Sequence, residues 1–204
     1  MKHIRLELKI KIQENIAAHL SLNNLSDNIL SCIKILDSKL SKGGKILFCG
    51  NGGSAADAQH LAAEYLVRLS SNINRGPIPA ISLAQDTSTI TACGNDYSFE
   101  DIFLRPFQAF ASKNDVLICL TTSGNSKNIL KVLKEAKKRK ISTIGFLGNK
   151  GGKAKKLCDI KLIINSSITA RIQECHIFLG HFILEKVESM ILSNIQIKDL
   201  KINR

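Results

Sequence analysis

Tryptophan is absent from this 204-residue chain, tyrosine occurs twice, and aromatic residues make up 5% of it. No aromatic cluster, helix-turn-helix or zinc-finger pattern is present, so nothing supports nucleic-acid recognition. No apolar run approaches the roughly 20 residues of a membrane span. Met1 to Leu20 carries charges throughout, without the apolar centre of a secretory leader. CxxC pairs are also missing. The six cysteines, at 32, 49, 93, 119, 158 and 175, stand singly in apolar stretches, the pattern of buried reduced thiols in a cytoplasmic protein. Prolines number three, at 77, 79 and 106, and there is neither low-complexity sequence nor an internal repeat. A linker is therefore not expected, and the length suits one domain that buries about 70% of its unfolded surface.

Acidic residues are few: 17 Asp plus Glu against 29 Lys plus Arg give a net charge of +12, which favours anionic partners in general. Much of the excess lies in residues 131–140 and 150–156. The first of these runs overlaps Ile129, Leu130, Leu133 and Ala136 at helical spacing, so its lysines read as the solvated face of an amphipathic helix.

Residues 4–12 alternate apolar and polar as a strand does, yet Ile4, Leu8, Ile12, Ile16 and Leu20 also repeat every four, and the longer pattern predicts a helix. A second helix is expected from Ser26 to Leu40, ending at Gly43-Gly44. Five mainly apolar runs without regular alternation follow: Ile46–Cys49, Ile78–Leu83, Val116–Leu120, Thr143–Leu147 and Ile160–Ile164. Runs of that kind suit strands covered on both faces. Helical patterns occupy Ser54–Leu69, Ser126–Lys138 and Ala170 to about Ile195. The expected fold is α/β: a five-stranded parallel sheet flanked by helices, with extra N-terminal and C-terminal helices, and ligands at the carboxyl ends of the strands.

Two strand-to-helix loops carry the chemistry. Cys49-Gly50-Asn51-Gly52-Gly53-Ser54 opens a helix with glycines that admit close backbone approach and amides that favour an anion. Lacking the lysine of a nucleotide P-loop and not being GxGxxG, it could also be a plain turn with Ser54 as N-cap. Leu120-Thr121-Thr122-Ser123-Gly124-Asn125-Ser126 gathers four hydroxyls around a glycine at a second helix start, enough neutral donors for one phosphate. Capping by Ser126 alone would not explain Thr121, Thr122 and Ser123.

His60 and Glu64 are four apart on the helix behind the first loop, and Arg68 continues that face. Such a pair is usually a surface ion pair, but its position beside an anion-binding loop favours function. On the last helix Gln173, Glu174, His176 and His181 follow Thr169 and Arg171, and His176 suits a packed core position equally well.

CGNGGSAADAQHLAAEYLVRL, LTTSGNS and TARIQECHIFLGH, in this order and spacing, resemble the phosphoheptose isomerases, a branch of the SIS family, over nearly the whole chain. LTTSGNS alone marks a general SIS sugar-phosphate pocket, and its combination with HLAAE and RIQECHIFLGH is far more specific. The resemblance implies a single SIS domain over residues 1–204, with residues 1–42 serving oligomerisation and 43–204 forming the core. It implies an isomerase that converts sedoheptulose 7-phosphate to D-glycero-D-manno-heptose 7-phosphate, the first step toward nucleotide-activated heptose for lipopolysaccharide or capsule. By the same resemblance Glu64 and His181 are the catalytic acid and base. Asn51, Gly52, Gly53, Ser54, Glu64, Arg68, Asn95, Asp96 and Gln173 surround the open-chain sugar, and Thr121, Thr122, Ser123 and Ser126 hold its phosphate. Zinc held by His60, Glu64, Gln173 and His181 and a homotetramer with shared active sites are also implied.

A carboxylate and an imidazole suit a proton moved between C1 and C2 through an enediol. Nitrogen and carboxylate ligands suit zinc, although glutamine is an unusual one. On a straight helix Gln173 and His181 are separated by about 12 Å of rise, so either that helix is irregular or the two residues serve a site from different chains. Thr121 and Lys127 stand where the family commonly has Ser and Pro, and both changes leave the needed donors in place. Similar noncatalytic SIS proteins bind the bacterial replication initiator. They are expected to keep the phosphate loops and lose the catalytic histidine, whereas this chain retains His60, Glu64, Gln173 and His181 together.

Overall fold

The structure is a computed structural model that describes residues 1–202, with side chains described through Ser193. The five apolar runs form strands β1 (Ile46–Gly50), β2 (Ala80–Ser82), β3 (Val116–Thr121), β4 (Ser142–Gly148) and β5 (Ile160–Ile164). All pair in parallel in the order β2-β1-β3-β4-β5, with Leu47 between Ile81 and Leu117 and Ile118 beside Ile144. Side chains alternate across a sheet, so these runs divide between two cores. Ile46, Phe48, Ile118, Leu120 and Phe146 enter one core, and Leu47, Cys49, Leu117, Cys119 and Leu147 the other.

The helices are α1 (Lys2–Leu20), α2 (Ser26–Leu40), α3 (Gly53–Leu66), α4 (Thr87–Asp96), α5 (Leu104–Phe110), α6 (Lys127–Lys138) and α7 (Thr169–Ile202). Those numbered 1, 2, 3 and 7 cover one face through Ala18, Leu36, Leu61 and Leu179, and α4, α5 and α6 cover the other through Cys93, Phe107 and Leu133. All six cysteines are buried and free. Among the described residues no helix is long and apolar enough to cross a membrane.

The main departures from expectation lie in one strand and three helices. The second strand is confined to Ala80–Ser82 because Pro79 has no N–H to give a ladder, although its carbonyl accepts from Ile46 N at 3.1 Å. The helix expected to reach Leu69 stops at Leu66, where Arg75 takes up the carbonyls of Glu64 and Tyr65 at 2.9 Å each. The last helix runs without interruption from Thr169 to Ile202, so irregularity does not close the gap between Gln173 and His181. The unanticipated α4 is threonine-rich with an internal glycine, a composition of weak helix propensity. Its start is fixed instead by Asp86, whose carboxylate accepts from Ser88 N at 3.2 Å and Thr89 N at 2.9 Å.

The ambiguous N-terminal segment is helical, but its strand-like alternation leaves apolar side chains around the helix. Ala18 is the buried residue of α1, while Ile4, Leu6, Leu8, Ile10, Ile12, Ile16 and Leu20 are 45–64% exposed.

Candidate active site

Strands β1 and β3 are neighbours, yet the chain leaves β1 for one edge of the sheet and continues from β3 toward the other. The carboxyl ends of two such strands flank a topological switch point, where ligands of open α/β sheets bind. Both hydroxyl- and glycine-rich loops start there, one leading into α3 and the other into α6.

Neither loop spends its hydroxyls on helix capping. Gly52 is the N-cap of α3 and Ser54 lies buried inside the helix, while Ser126 is the N-cap of α6 but makes no side-chain cap bond. The second loop is held by its own backbone and a neighbour. Thr121 Oγ1 accepts from Gly124 N at 3.2 Å, Ser123 Oγ accepts from Asn125 N at 3.2 Å, and Asn125 Oδ1 accepts from Lys153 N at 3.1 Å. Gly124 has φ +65°, and a Cβ there would meet Gly151 O at 2.2 Å, so the cradle needs glycine twice over. The first loop needs it for a different reason. A Cβ on Gly53 would lie 2.5 Å from Gln173 Nε2, which shows how closely Gln173 on α7 approaches the start of α3.

The two helices pack side by side, with Leu61 against Gly180 and Tyr65 Oη donating to Leu184 O at 3.0 Å. Their contact brings three of the expected ligands together. His60 Nε2 lies 2.9 Å from His181 Nε2 and 3.2 Å from Glu64 Oε1, and the three donor atoms all fall within 4.8 Å of one another. One proton on His60 Nε2 can satisfy one of those neighbours but not both. A divalent cation would satisfy all three, and two imidazole nitrogens with a carboxylate are a suitable donor set for zinc.

Gln173 sits eight residues earlier on unbroken α7, about 12 Å along its axis, and lies against Gly53. Arg68 falls beyond the end of α3 and is exposed, so it does not continue the helical face that carries His60 and Glu64. Asn95 and Asp96 occupy the exposed C-terminal end of α4, where Asn95 Nδ2 donates to Asp96 Oδ1 at 2.8 Å. The neighbouring Glu174 and Arg171 form an ion pair that also reaches Asn15 and Glu14 of α1.

Three residues here were not singled out from the sequence. Asp57 lies one turn before His60, with a buried Oδ2 that has no hydrogen-bond partner. Burial pushes its carboxyl above the usual range, against the opposing pull of His60 and His181. Asn128 on α6 exchanges two hydrogen bonds with Asn51 of the first loop, at 2.8 and 2.9 Å. Arg75 ties the end of α3 to Glu188 on α7. Only Asp57 had a visible signal, its three-residue spacing from His60.

Comparison with known proteins agrees with this arrangement. The family model for the SIS domain matches residues 13–148. The phosphoheptose isomerase of Campylobacter concisus is 47% identical over 186 residues, covering 89% of this chain and 97% of the relative. The solved phosphoheptose isomerase of Neisseria gonorrhoeae superposes with a TM-score of 0.85 at 36% identity, covering 91% of this chain and 99% of that one. That of Francisella tularensis gives 0.85 at 34% identity, covering 90% and 97%. Five parallel strands in one order, two loops at their switch point and a three-residue cluster between α3 and α7 thus coincide with relatedness over nearly the full length, and the chain belongs to the phosphoheptose isomerases of the SIS family.

Proposed function

We propose that this chain interconverts sedoheptulose 7-phosphate and D-glycero-D-manno-heptose 7-phosphate, and that its product enters nucleotide-activated heptose synthesis. The observation that carries the proposal is the approach of Glu64 and His181 from two different helices, the first of which begins at the glycine-rich loop. Isomerisation moves a proton between C1 and C2 and exchanges protons on the two oxygens, so it needs two groups that face the same short stretch of substrate. Glu64 takes the proton from carbon and returns it. His181 serves the oxygens.

Thr121, Thr122, Ser123 and Ser126 hold the 7-phosphate with neutral donors at the start of α6. Asn51, Gly52, Gly53 and Ser54 line the sugar, with Gln173 beside them. His60, Glu64 and His181 are suited to hold zinc, and bound zinc would polarise the sugar carbonyl as a Lewis acid. Gln173, the fourth ligand of the family pattern, would reach the ion only from another copy, because it stands about two turns away on unbroken α7. Arg68, Asn95 and Asp96 complete the sugar pocket. Their exposure in the single chain suggests that they do so in a tetramer whose active sites are shared between copies. Retention of the three-residue cluster speaks against a purely noncatalytic role in binding the replication initiator.

Glu64→Gln and His181→Gln should each reduce turnover of sedoheptulose 7-phosphate by about 10²- to 10⁴-fold, with an unchanged thermal transition and little change in substrate affinity. Near-normal turnover in either variant would refute the assignment.

A further inference from the structure

The sugar loop and the phosphate loop belong to different strand–helix units, yet one pair of side chains joins them. Asn51 Nδ2 donates to Asn128 Oδ1 at 2.9 Å, and Asn128 Nδ2 donates back to Asn51 Oδ1 at 2.8 Å. Asn128 Oδ1 also accepts from Ile129 N at 2.9 Å, so the amide is anchored to its own helix start. The Asn128 side chain belongs to a residue that is 2% exposed. Accepting from Ile129 N satisfies one free N–H of the first turn of α6, but that duty does not explain the two further bonds this buried amide makes to Asn51. Asparagine offers two N–H donors and two acceptor lone pairs on its carbonyl. The reciprocal pair takes one of each from Asn51 and leaves one N–H and one lone pair pointing elsewhere.

We infer that Asn128 is a positioning residue: with Asn51 it forms a strut that fixes the separation between the phosphate cradle and the sugar loop, and thereby selects ketose phosphates by chain length. This inference rests on the isomerase proposal. With the phosphate held at one end and the reacting carbons at the other, each carbon added or removed shifts C1 and C2 relative to Glu64 and His181. A rigid strut turns that shift into lost rate, because misplacement of reacting groups by about 1 Å can cost about 100-fold. Without it the two loops can drift and accept unequal lengths more evenly.

The test uses the full chain carrying Asn128→Leu, Asn51→Ala, or both, each checked by circular dichroism and a thermal melt. Leucine keeps the approximate volume and removes both hydrogen bonds to Asn51 together with the one from Ile129 N. Asn51→Ala alters a half-buried loop side chain and serves if the buried substitution does not fold. Affinities for inorganic phosphate, sedoheptulose 7-phosphate and fructose 6-phosphate are measured by calorimetry, and turnover is measured on both sugars. Each single variant should keep its phosphate affinity within about twofold, lose roughly 100-fold in kcat, and show at least a tenfold smaller preference for seven carbons over six. The double variant should be no worse than the poorer single, because the strut is already broken.

An unchanged seven-to-six preference overturns the inference, as do additive losses in the double variant or a parallel loss of phosphate affinity, which would mark a general structural role. If the unaltered protein binds these sugars but turns over none, the isomerase proposal fails. The strut is then decided by the same binding preference and the same double-variant comparison.

Discussion

His176 occupies a core position on α7, packed edge-on against Phe146, and neither ring nitrogen has a hydrogen-bond partner. Burial lowers its pKa to about 4 from 6.5, against a smaller opposing pull from the Leu147 backbone. In the unfolded chain the same imidazole titrates near 6.5. Below that pH the unfolded state binds a proton that the folded state refuses, so stability is full above pH 6.5 and is lost as pH falls from 6.5 toward 4. The loss amounts to about 3 kcal/mol. Urea unfolding at pH 7.5 and pH 4.5 should show this drop, and His176→Leu should flatten it while leaving stability at pH 7.5 equal or higher, since it removes two unsatisfied buried nitrogens. A variant with the same pH slope would assign the effect to another group.

The elements differ in how far they could be foreseen. Strands β1 and β3 were legible because both faces are covered and every residue is buried, and β4 and the edge strand β5 because their runs are mainly apolar. Helix α4 was not, because its signal is one aspartate cap rather than an apolar stripe, and the same shortage of apolar periodicity concealed the short α5. In the site, His60, Glu64 and His181 stood out through motif and resemblance, and α3–α7 packing does bring them together. Asn128 looked like one more polar residue near the start of a lysine-rich helix. Its importance depends on which loop lies across from it, information that no local pattern contains.

Arg75 is a second case of this kind, and its consequence belongs to the α3–α7 pair. Its guanidinium and the Glu188 carboxylate are 3% and 1% exposed, and Arg75 also satisfies Glu64 O, Tyr65 O and Gly76 O. Removing one partner leaves a buried charge alone, at a cost of about 3–5 kcal/mol, whereas replacing both by apolar residues of similar size is often close to neutral. Arg75→Met should therefore lose about that amount in urea melts, and Arg75→Met with Glu188→Met should recover most of it. Additive losses in the double variant would show that the two side chains act independently.

At the scale of the whole molecule, α1 presents seven large apolar residues to solvent, and Phe178 and Phe182 on α7 are partly exposed as well. A surface of this kind calls for covering by other copies, which agrees with the tetramer proposed above. Sedimentation should find a tetramer, and dilution or α1 substitutions such as Ile12→Glu that dissociate it should abolish turnover. An active monomer would overturn the assembly proposal. Because Glu64 and His181 meet within one chain, mixed Glu64→Gln and His181→Gln chains should not rescue each other by sharing that pair. Recovered activity would place the working pair across a subunit boundary.

The position of α7 in chain order sets a timetable for biogenesis. This helix follows all five strands, yet it supplies His181, Gln173, the Glu188 partner of Arg75, and the Ile172, Cys175, Leu179 and Ile183 stripe that covers one face of the sheet. During synthesis the sheet must wait, half clothed, until its last helix emerges, and an exposed apolar sheet face is prone to aggregate in that interval. The α7 half of the site and the cover for that sheet face therefore arrive together, once α7 has emerged, and assembly with other copies follows.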